Sequence, residues 1–177
     1  LLVHWDIESG EELNRKESAD ISVVLDIALS PDGSSFYFVS LWTHMFQFDI
    51  ETFTELKSFP LPKESEWLLS IAISPDGHSA LAGGDLGDIV LFDLDTGEII
   101  QRYNQGSVTE DLDFSADGER FISASTNQTL VLWDVATGEA IQTFNGHTND
   151  ISRVSFTPDE SQIISASGDG TLILWDV

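Results

Sequence analysis

Side chains that commonly act in catalysis or metal binding are few and scattered in this sequence. The four histidines are His4, His44, His78 and His147, and no two of them stand at a spacing that a metal site uses. There is no cysteine, so no thiolate nucleophile or thiolate metal ligand exists. The sequence motifs of serine hydrolases and of phosphate-binding loops are also missing. We therefore predict no catalytic residue, no metal and no cofactor.

Carboxylates, by contrast, are abundant. Asp and Glu number 31 against seven Lys and Arg, which gives a net charge of −24. A field of this sign repels phosphate backbones and anionic membrane surfaces. We therefore predict neither a nucleic-acid nor a membrane partner, and a basic protein or peptide fits the charge best.

Three short patterns recur along the chain in one phase, at steps of about 42 residues. An aromatic residue followed by Asp occurs at Trp5-Asp6, Phe48-Asp49, Phe92-Asp93, Trp133-Asp134 and Trp175-Asp176. A turn of the Ser-Pro-Asp-Gly type begins at Ser30, Ser74, Ser115 and Thr157. A bend of the Thr-Gly-Glu type begins at Ser9, Thr52, Thr96 and Thr137. The chain is therefore predicted to be an internal repeat.

Runs of strand length lie between these marks, such as Ile151–Phe156, Gln162–Ala166 and Thr171–Trp175. Helical periodicity is absent, and Pro, Gly, Asp or Ser bounds each run. In the Pro-Asp-Gly turns, Pro fixes φ, Asp bonds its own backbone and Gly accepts a positive φ. Each period is thus predicted to form four short strands.

A four-stranded unit of this length with a Trp-Asp ending resembles the WD-repeat family. The resemblance implies an all-β fold, a partial β-propeller of four four-stranded antiparallel blades in one domain, residues 1–177. The repeats are placed at approximately 7–49, 50–93, 94–134 and 135–177, and residues 1–6 end a preceding repeat. WD-repeat rings usually have seven or eight blades, so we expect further blades in the same chain. Ring closure by a homodimer is the alternative.

In the WD-repeat family a His, a Ser, an Asp and a Trp form a hydrogen-bonded tetrad inside the blade. The resemblance implies that His147, Ser165, Asp169 and Trp175 form this tetrad in the fourth repeat. Because buried polar groups need partners, we interpret the tetrad as structural.

The other repeats depart from this pattern. The third keeps Ser123 and Trp133, with Asn127 at the Asp position and no Gly-His. The first two have Phe for Trp, and Trp42 and Leu86 fall at the Asp position. We expect these two blades to depend on apolar packing.

The first strand of each repeat carries unusual charges. Asp26, Ser70, Asp111 and Arg153 align at one position, and Asp113 stands two residues further on, where Ala28 and Ala72 align. A carboxylate in an inner layer needs a partner or a raised pKa. These residues, with Glu110, either line a channel that contacts a ligand or basic peptide, or join neighbouring blades, with Arg153 as the partner of Asp111.

Two tryptophans, Trp42 and Trp67, map to the same rim, the face that WD-repeat proteins commonly use for binding. Exposed Trp is frequent at binding hot spots, although burial in an irregular loop is the alternative. The segment Lys57–Glu66 is predicted to be the longest loop between blades and could take part in recognition.

The prediction for function is a non-catalytic protein-interaction scaffold that binds a protein or peptide partner on its rim face. The alternative is a ligand-sensing or regulatory segment of a larger multidomain signalling protein. A propeller enzyme would need carboxylates or metal ligands from several blades at the channel, so we predict that the chain is not an enzyme. We expect it to be cytoplasmic.

Overall fold

The computed structural model describes residues 2–16, 23–40, 44–60 and 67–177. In these residues the fold is all-β, as predicted, and no helix is long and apolar enough to cross a membrane. Side chains that alternate between apolar and polar favour strands over helices, and the turn residues end each strand after a few residues.

The strands form small antiparallel sheets, each a meander of consecutive strands. The first described sheet pairs β1 (Leu2–Trp5) with β2 (Glu12–Lys16). Blade 1 contains β3 (Val24–Leu29), β4 (Ser35–Ser40), β5 (His44–Asp49) and β6 (Glu55–Pro60). Blade 2 contains β7 (Leu68–Ile73), β8 (Ser79–Gly84), β9 (Asp88–Asp93) and β10 (Ile99–Asn104). Blade 3 contains β11 (Thr109–Phe114), β12 (Arg120–Ser125), β13 (Thr129–Asp134) and β14 (Ala140–Asn145). Blade 4 contains β15 (Ile151–Phe156), β16 (Gln162–Ser167) and β17 (Leu172–Asp176).

The sheets are out of phase with the sequence repeats. Each outer strand follows an aromatic–Asp pair but pairs with the strand before it, so the repeat at 50–93 gives β6 to blade 1 and β7–β9 to blade 2. Three described sheets are therefore four-stranded, while the sheets at the two ends have two and three strands.

One loop prediction was wrong in part. Residues 57–60 of the predicted loop belong to β6, where Lys57 pairs with Gln47 and Pro60 with His44. The single Pro is tolerated because β6 is an edge strand. Residues 61–66 lie outside the described residues.

The blades pack face to face, and their first strands β3, β7, β11 and β15 lie next to one another. Apolar clusters fill the space between neighbouring blades: Val39, Phe59 and Ile71 belong to the cluster between blades 1 and 2. The corresponding clusters lie between blades 2 and 3 and between blades 3 and 4. Burial of these side chains is the main stabilising term of the fold.

Because the strands alternate in direction, the turns gather at two edges of the blades. The turns that precede each first strand and those that join the second and third strands share one edge, which we name the upper rim. Backbone hydrogen bonds link them there, such as Asp85 N to Trp67 O and Gly168 N to Asp150 O. The Pro-Asp-Gly and Thr-Gly-Glu turns lie at the opposite edge, the lower rim.

Candidate functional site

The four residues of the implied tetrad are joined by hydrogen bonds in blade 4. Trp175 Nε1 donates to Ser165 Oγ at 2.9 Å, and His147 Nε2 lies 2.8 Å from the same oxygen. His147 Nδ1 is 3.0 Å from Asp169 Oδ2, which also accepts the Thr148 N–H at 2.8 Å. Hydrogen bonds from Thr171, then Thr148, hold the pKa of Asp169 well below its usual range. The hydrogen bonds of the tetrad thus join residues of blade 4 and of the segment that leads into it.

Blade 3 contains a substituted version of this tetrad. Trp133 Nε1 donates to Ser123 Oγ at 2.8 Å. Gln105 stands at the His position and donates to the Thr129 carbonyl at 3.2 Å, while Asn127 Oδ1 accepts the Thr129 hydroxyl at 2.6 Å. Sequence reasoning missed Gln105, although its offset of 42 residues from His147 could have identified it.

Apolar side chains replace the tetrad in blades 1 and 2. Phe38 occupies the Ser position of blade 1 and packs against Phe48, with 5.4 Å between ring centroids. Both rings are fully buried. In blade 2 the corresponding pair is Ala82 and Phe92, which are also fully buried. Leu86, at the former Asp position, has no capping role and is exposed.

The aspartates of the lower rim are committed to turns. Asp32 Oδ1 accepts the Ser30 hydroxyl at 2.6 Å and the Ser34 N–H at 2.9 Å, which lowers the pKa of Asp32 to about 2. Asp93 Oδ1 accepts the Thr96 N–H at 2.6 Å, which lowers the pKa of that carboxyl. The same bonds recur in the other repeats, at Asp76, Asp117 and Asp159 and at Asp6, Asp49 and Asp134. These eight carboxylates therefore stabilise turns by accepting hydrogen bonds from nearby backbone N–H groups.

The inner-strand carboxylates connect one blade to the next through backbone N–H groups. Asp26 Oδ2 accepts the N–H of Ile71 at 2.9 Å, and Asp111 Oδ2 accepts the N–H of Val154 at 2.8 Å. A β-bulge directly before this position in each inner strand redirects the side chain. Glu110 is the bulged residue of β11 and is half-buried.

Asp113 makes a second link between blades 3 and 4. Its Oδ2 accepts the Ser155 hydroxyl at 2.8 Å and the Phe156 N–H at 2.9 Å. Burial raises the pKa of Asp113, and these two bonds partly oppose that rise. The aligned Ala28 and Ala72 make no such link, so blades 3 and 4 are joined by more polar contacts than the preceding pair.

Arg153 is a minor partner of Asp111. Its Nη1 lies 3.9 Å from Asp111 Oδ1, at the limit of an ion pair, and most of the Arg side chain is exposed. Burial raises the pKa of Asp111 to about 6; the Val154 N–H and then Arg153 act in the opposite direction. The backbone bond, and not the guanidinium, is the principal contact of this carboxylate.

Exposed apolar side chains lie on the upper rim of blade 2. Trp67 is 46% exposed and Leu86 is 55% exposed. The Trp67 backbone is fixed by Asp85, whose N–H donates to Trp67 O at 3.2 Å and whose Oδ1 accepts the Trp67 N–H at 3.3 Å. These bonds join Trp67 to Asp85, the residue that precedes Leu86. Trp42 lies outside the described residues.

Within residues 2–16, 23–40, 44–60 and 67–177, no three His, Asp or Glu side chains are grouped as a metal site requires.

No curated protein matches the chain. Residues 98–134 and 138–176 each match the family model of the WD domain, G-beta repeat. These matches cover the two repeats whose Trp, Ser and turn residues are best preserved. WD repeats generally mediate protein–protein interaction, and proteins that contain them are generally non-catalytic scaffolds. Residues 98–134 and 138–176 are therefore WD repeats, and together with the antiparallel four-stranded blades they support a WD-repeat protein.

Proposed function

We propose that this protein is a non-catalytic scaffold that binds a protein or peptide partner through the upper rim of blade 2. The observation that carries the proposal is that Trp67 and Leu86 are both exposed on one rim, where hydrogen bonds join Trp67 to Asp85, the residue before Leu86. A Trp ring gives a large contact area at low entropic cost, and such residues dominate the energy of many interfaces.

The loss of the tetrad in blade 2 supports this assignment. Where Asp169 caps a turn in blade 4, Leu86 makes no capping bond and projects to solvent. A leucine at this position contributes no hydrogen bond to the blade and exposes apolar area. Binding of a partner would remove that area from water.

The charge of the chain indicates the kind of partner. Asp85 stands between Trp67 and Leu86, and the net charge is −24. A partner with an apolar anchor flanked by Lys or Arg would meet both features. Long-range attraction would raise its association rate at low ionic strength.

A capture experiment tests the proposal. The wild-type chain, the double variant Trp67→Ala/Leu86→Ala and the control Ile100→Ala are immobilised and exposed to extract of the source cells. Ile100 is a suitable control because it is an aliphatic residue of similar exposure, 52%, on an outer strand away from the upper rim. We expect a protein that the wild type and the control retain and the double variant loses, with unchanged melting of all three chains.

Calorimetry with the purified partner then gives the affinity. Loss of the Trp67 and Leu86 side chains should weaken binding by about 2 kcal/mol or more, as for hot-spot residues. Equal capture by the double variant and the control would overturn the proposal.

A further inference from the structure

A cleft with a volume of about 350 Å³ lies at the lower rim between blades 1 and 2. Pro31 and Leu94 line it together with mostly polar residues, among them Asp32, Asp76 and Asp95. The volume is within the range of small-ligand sites. The cleft is at the edge opposite to Trp67, so it is separate from the surface proposed above.

Blade 1 departs from the other blades at two positions that line the cleft. Tyr37 and Gln47 are cross-strand partners whose side chains line it. The other blades have two aliphatic residues at this pair of positions: Leu81 with Leu91, Ile122 with Leu132, and Ile164 with Leu174. Polar groups thus replace the aliphatic contact that the same register provides elsewhere.

Both polar side chains keep unused hydrogen-bonding capacity. Tyr37 is only 3% exposed, and no described residue forms a hydrogen bond with its hydroxyl. Gln47 Nε2 donates to Ser35 Oγ at 3.2 Å, and none of the described groups donates to its carbonyl oxygen. The hydroxyl of a largely buried tyrosine normally has a partner, either a protein group or water. The second tyrosine has one, because the Tyr103 hydroxyl donates to Val135 O at 2.8 Å.

The charge around the Tyr37 hydroxyl is negative. Burial raises the pKa of Tyr37, and the carboxylates of Asp32 and Asp95 raise it further. Asp95 is exposed, and its Oδ2 lies 3.1 Å from His78 Nδ1. Lys57 is the nearby cation, but its Nζ is occupied by the carbonyls of Leu94 and Asp95, at 2.8 and 2.6 Å.

We propose that this cleft binds a guanidinium group. The group is planar, weakly hydrated and carries five N–H donors, so it suits a cleft with acceptors in several directions. The Tyr37 hydroxyl and the Gln47 carbonyl accept two of its N–H groups, and Asp95 balances its charge. An arginine side chain of a peptide and a free guanidino compound share this chemistry.

Nuclear magnetic resonance titration of the full 177-residue chain tests the proposal. The probes are ethylguanidinium, the peptide acetyl-Gly-Arg-Gly-amide and its neutral isostere, in which citrulline replaces arginine. We expect saturable shifts of the Ser34, His78 and Asp95 amides with the first two probes and none with the third. Tighter binding of the arginine peptide than of ethylguanidinium would identify a peptide as the source, and weaker or equal binding a free guanidino compound.

Variants assign the binding to the cleft. Tyr37→Phe removes one oxygen and keeps the ring, and should weaken binding about tenfold because the lost hydrogen bond is to a charged group. Asp95→Asn should weaken it by about threefold, since Asp95 is exposed. The matched control, Tyr103→Phe, removes the hydroxyl that already has a partner and should leave affinity unchanged.

Three outcomes would overturn the proposal: binding of the citrulline peptide equal to that of the arginine peptide, shifts outside the cleft, or unchanged affinity in Tyr37→Phe. None of these bears on capture at the upper rim, so the two proposals stand or fall separately.

Discussion

The hydroxyl of Ser165 holds the polar centre of blade 4 together, because both Trp175 Nε1 and His147 Nε2 bond to it. Ser165→Ala removes the partner of both ring nitrogens, one on the buried His147 and one on the partly buried Trp175. We expect the free energy of unfolding to fall by about 1–3 kcal/mol, measured by urea denaturation.

Ser152→Ala provides the control, since Ser152 is an exposed serine of the same blade. It should change stability by no more than about 0.5 kcal/mol. A Ser165→Ala variant as stable as this control would show that the tetrad contributes nothing to the fold.

Asp111 gives a pH dependence of definite sign. Its pKa is raised from 3.8 to about 6 in the fold, so the native state binds more protons than the unfolded chain between these values. Stability contributed by this group is therefore present at low pH and falls as pH rises from about 4 to 6. Asp111→Asn should remove this fall, which has an upper bound of about 3 kcal/mol.

The free energy of unfolding is measured by urea denaturation across this pH range for the variant and the wild type. The difference between the two isolates the contribution of Asp111 from those of Asp113 and other carboxyls. Asp150→Asn, which neutralises an exposed carboxylate, serves as the matched control. A difference profile for Asp111→Asn that is flat from pH 4 to 6 would contradict the prediction.

Among the described residues, Phe53, Gln128 and Glu160 have a left-handed backbone conformation without being glycine, and the first two differ in how they are packed. Phe53 has φ 56° where the other repeats have glycine, and its buried ring stacks on His4 and contacts Phe36, at 5.4 and 5.2 Å between centroids. Gln128 has φ 72° and is exposed. Packing compensates for the strain at the first residue but not at the second.

Replacement by glycine should therefore have opposite effects at these two turns. Phe53→Gly relieves backbone strain but removes a buried ring, so stability should fall by about 2–4 kcal/mol. Gln128→Gly should raise stability by about 0.5–1 kcal/mol. Thermal and urea denaturation measure both variants, and effects of the same sign would show that backbone conformation is not the deciding factor.

At the scale of the whole molecule, the charge of −24 opposes compaction. Sodium chloride at about 0.5 M shortens the Debye length to a few ångströms and screens this repulsion. We expect the melting temperature to rise by about 2–4 °C over its value in low salt. For a chain of this size, such a rise corresponds to a gain of roughly 1 kcal/mol in the free energy of unfolding.

Sucrose at equal osmolality controls for non-ionic effects of the solute. A melting temperature that falls or stays constant with salt would mean that local ion pairs outweigh the overall repulsion.

The sequence by itself determined the repeat, the strands and the turns. These features depend on neighbouring residues: Pro and Gly set φ, Asp bonds N–H groups two or three residues away, and alternation defines the two faces of a strand. The resemblance of the fourth repeat to the WD-repeat pattern also implied the residues of the tetrad in blade 4.

Only the tertiary structure decided what each inner-strand carboxylate contacts. Sequence alignment placed Asp111 beside Arg153, but the bond that forms is to the backbone N–H of Val154, because a bulge redirects the carboxylate toward the next blade. The cleft was equally hidden, since alignment of the repeats could show that Tyr37 and Gln47 are unusual but not how two blades fit against one another. Local chemistry fixes strands and turns, whereas the partners of a side chain between blades are set by packing across about 42 residues of chain.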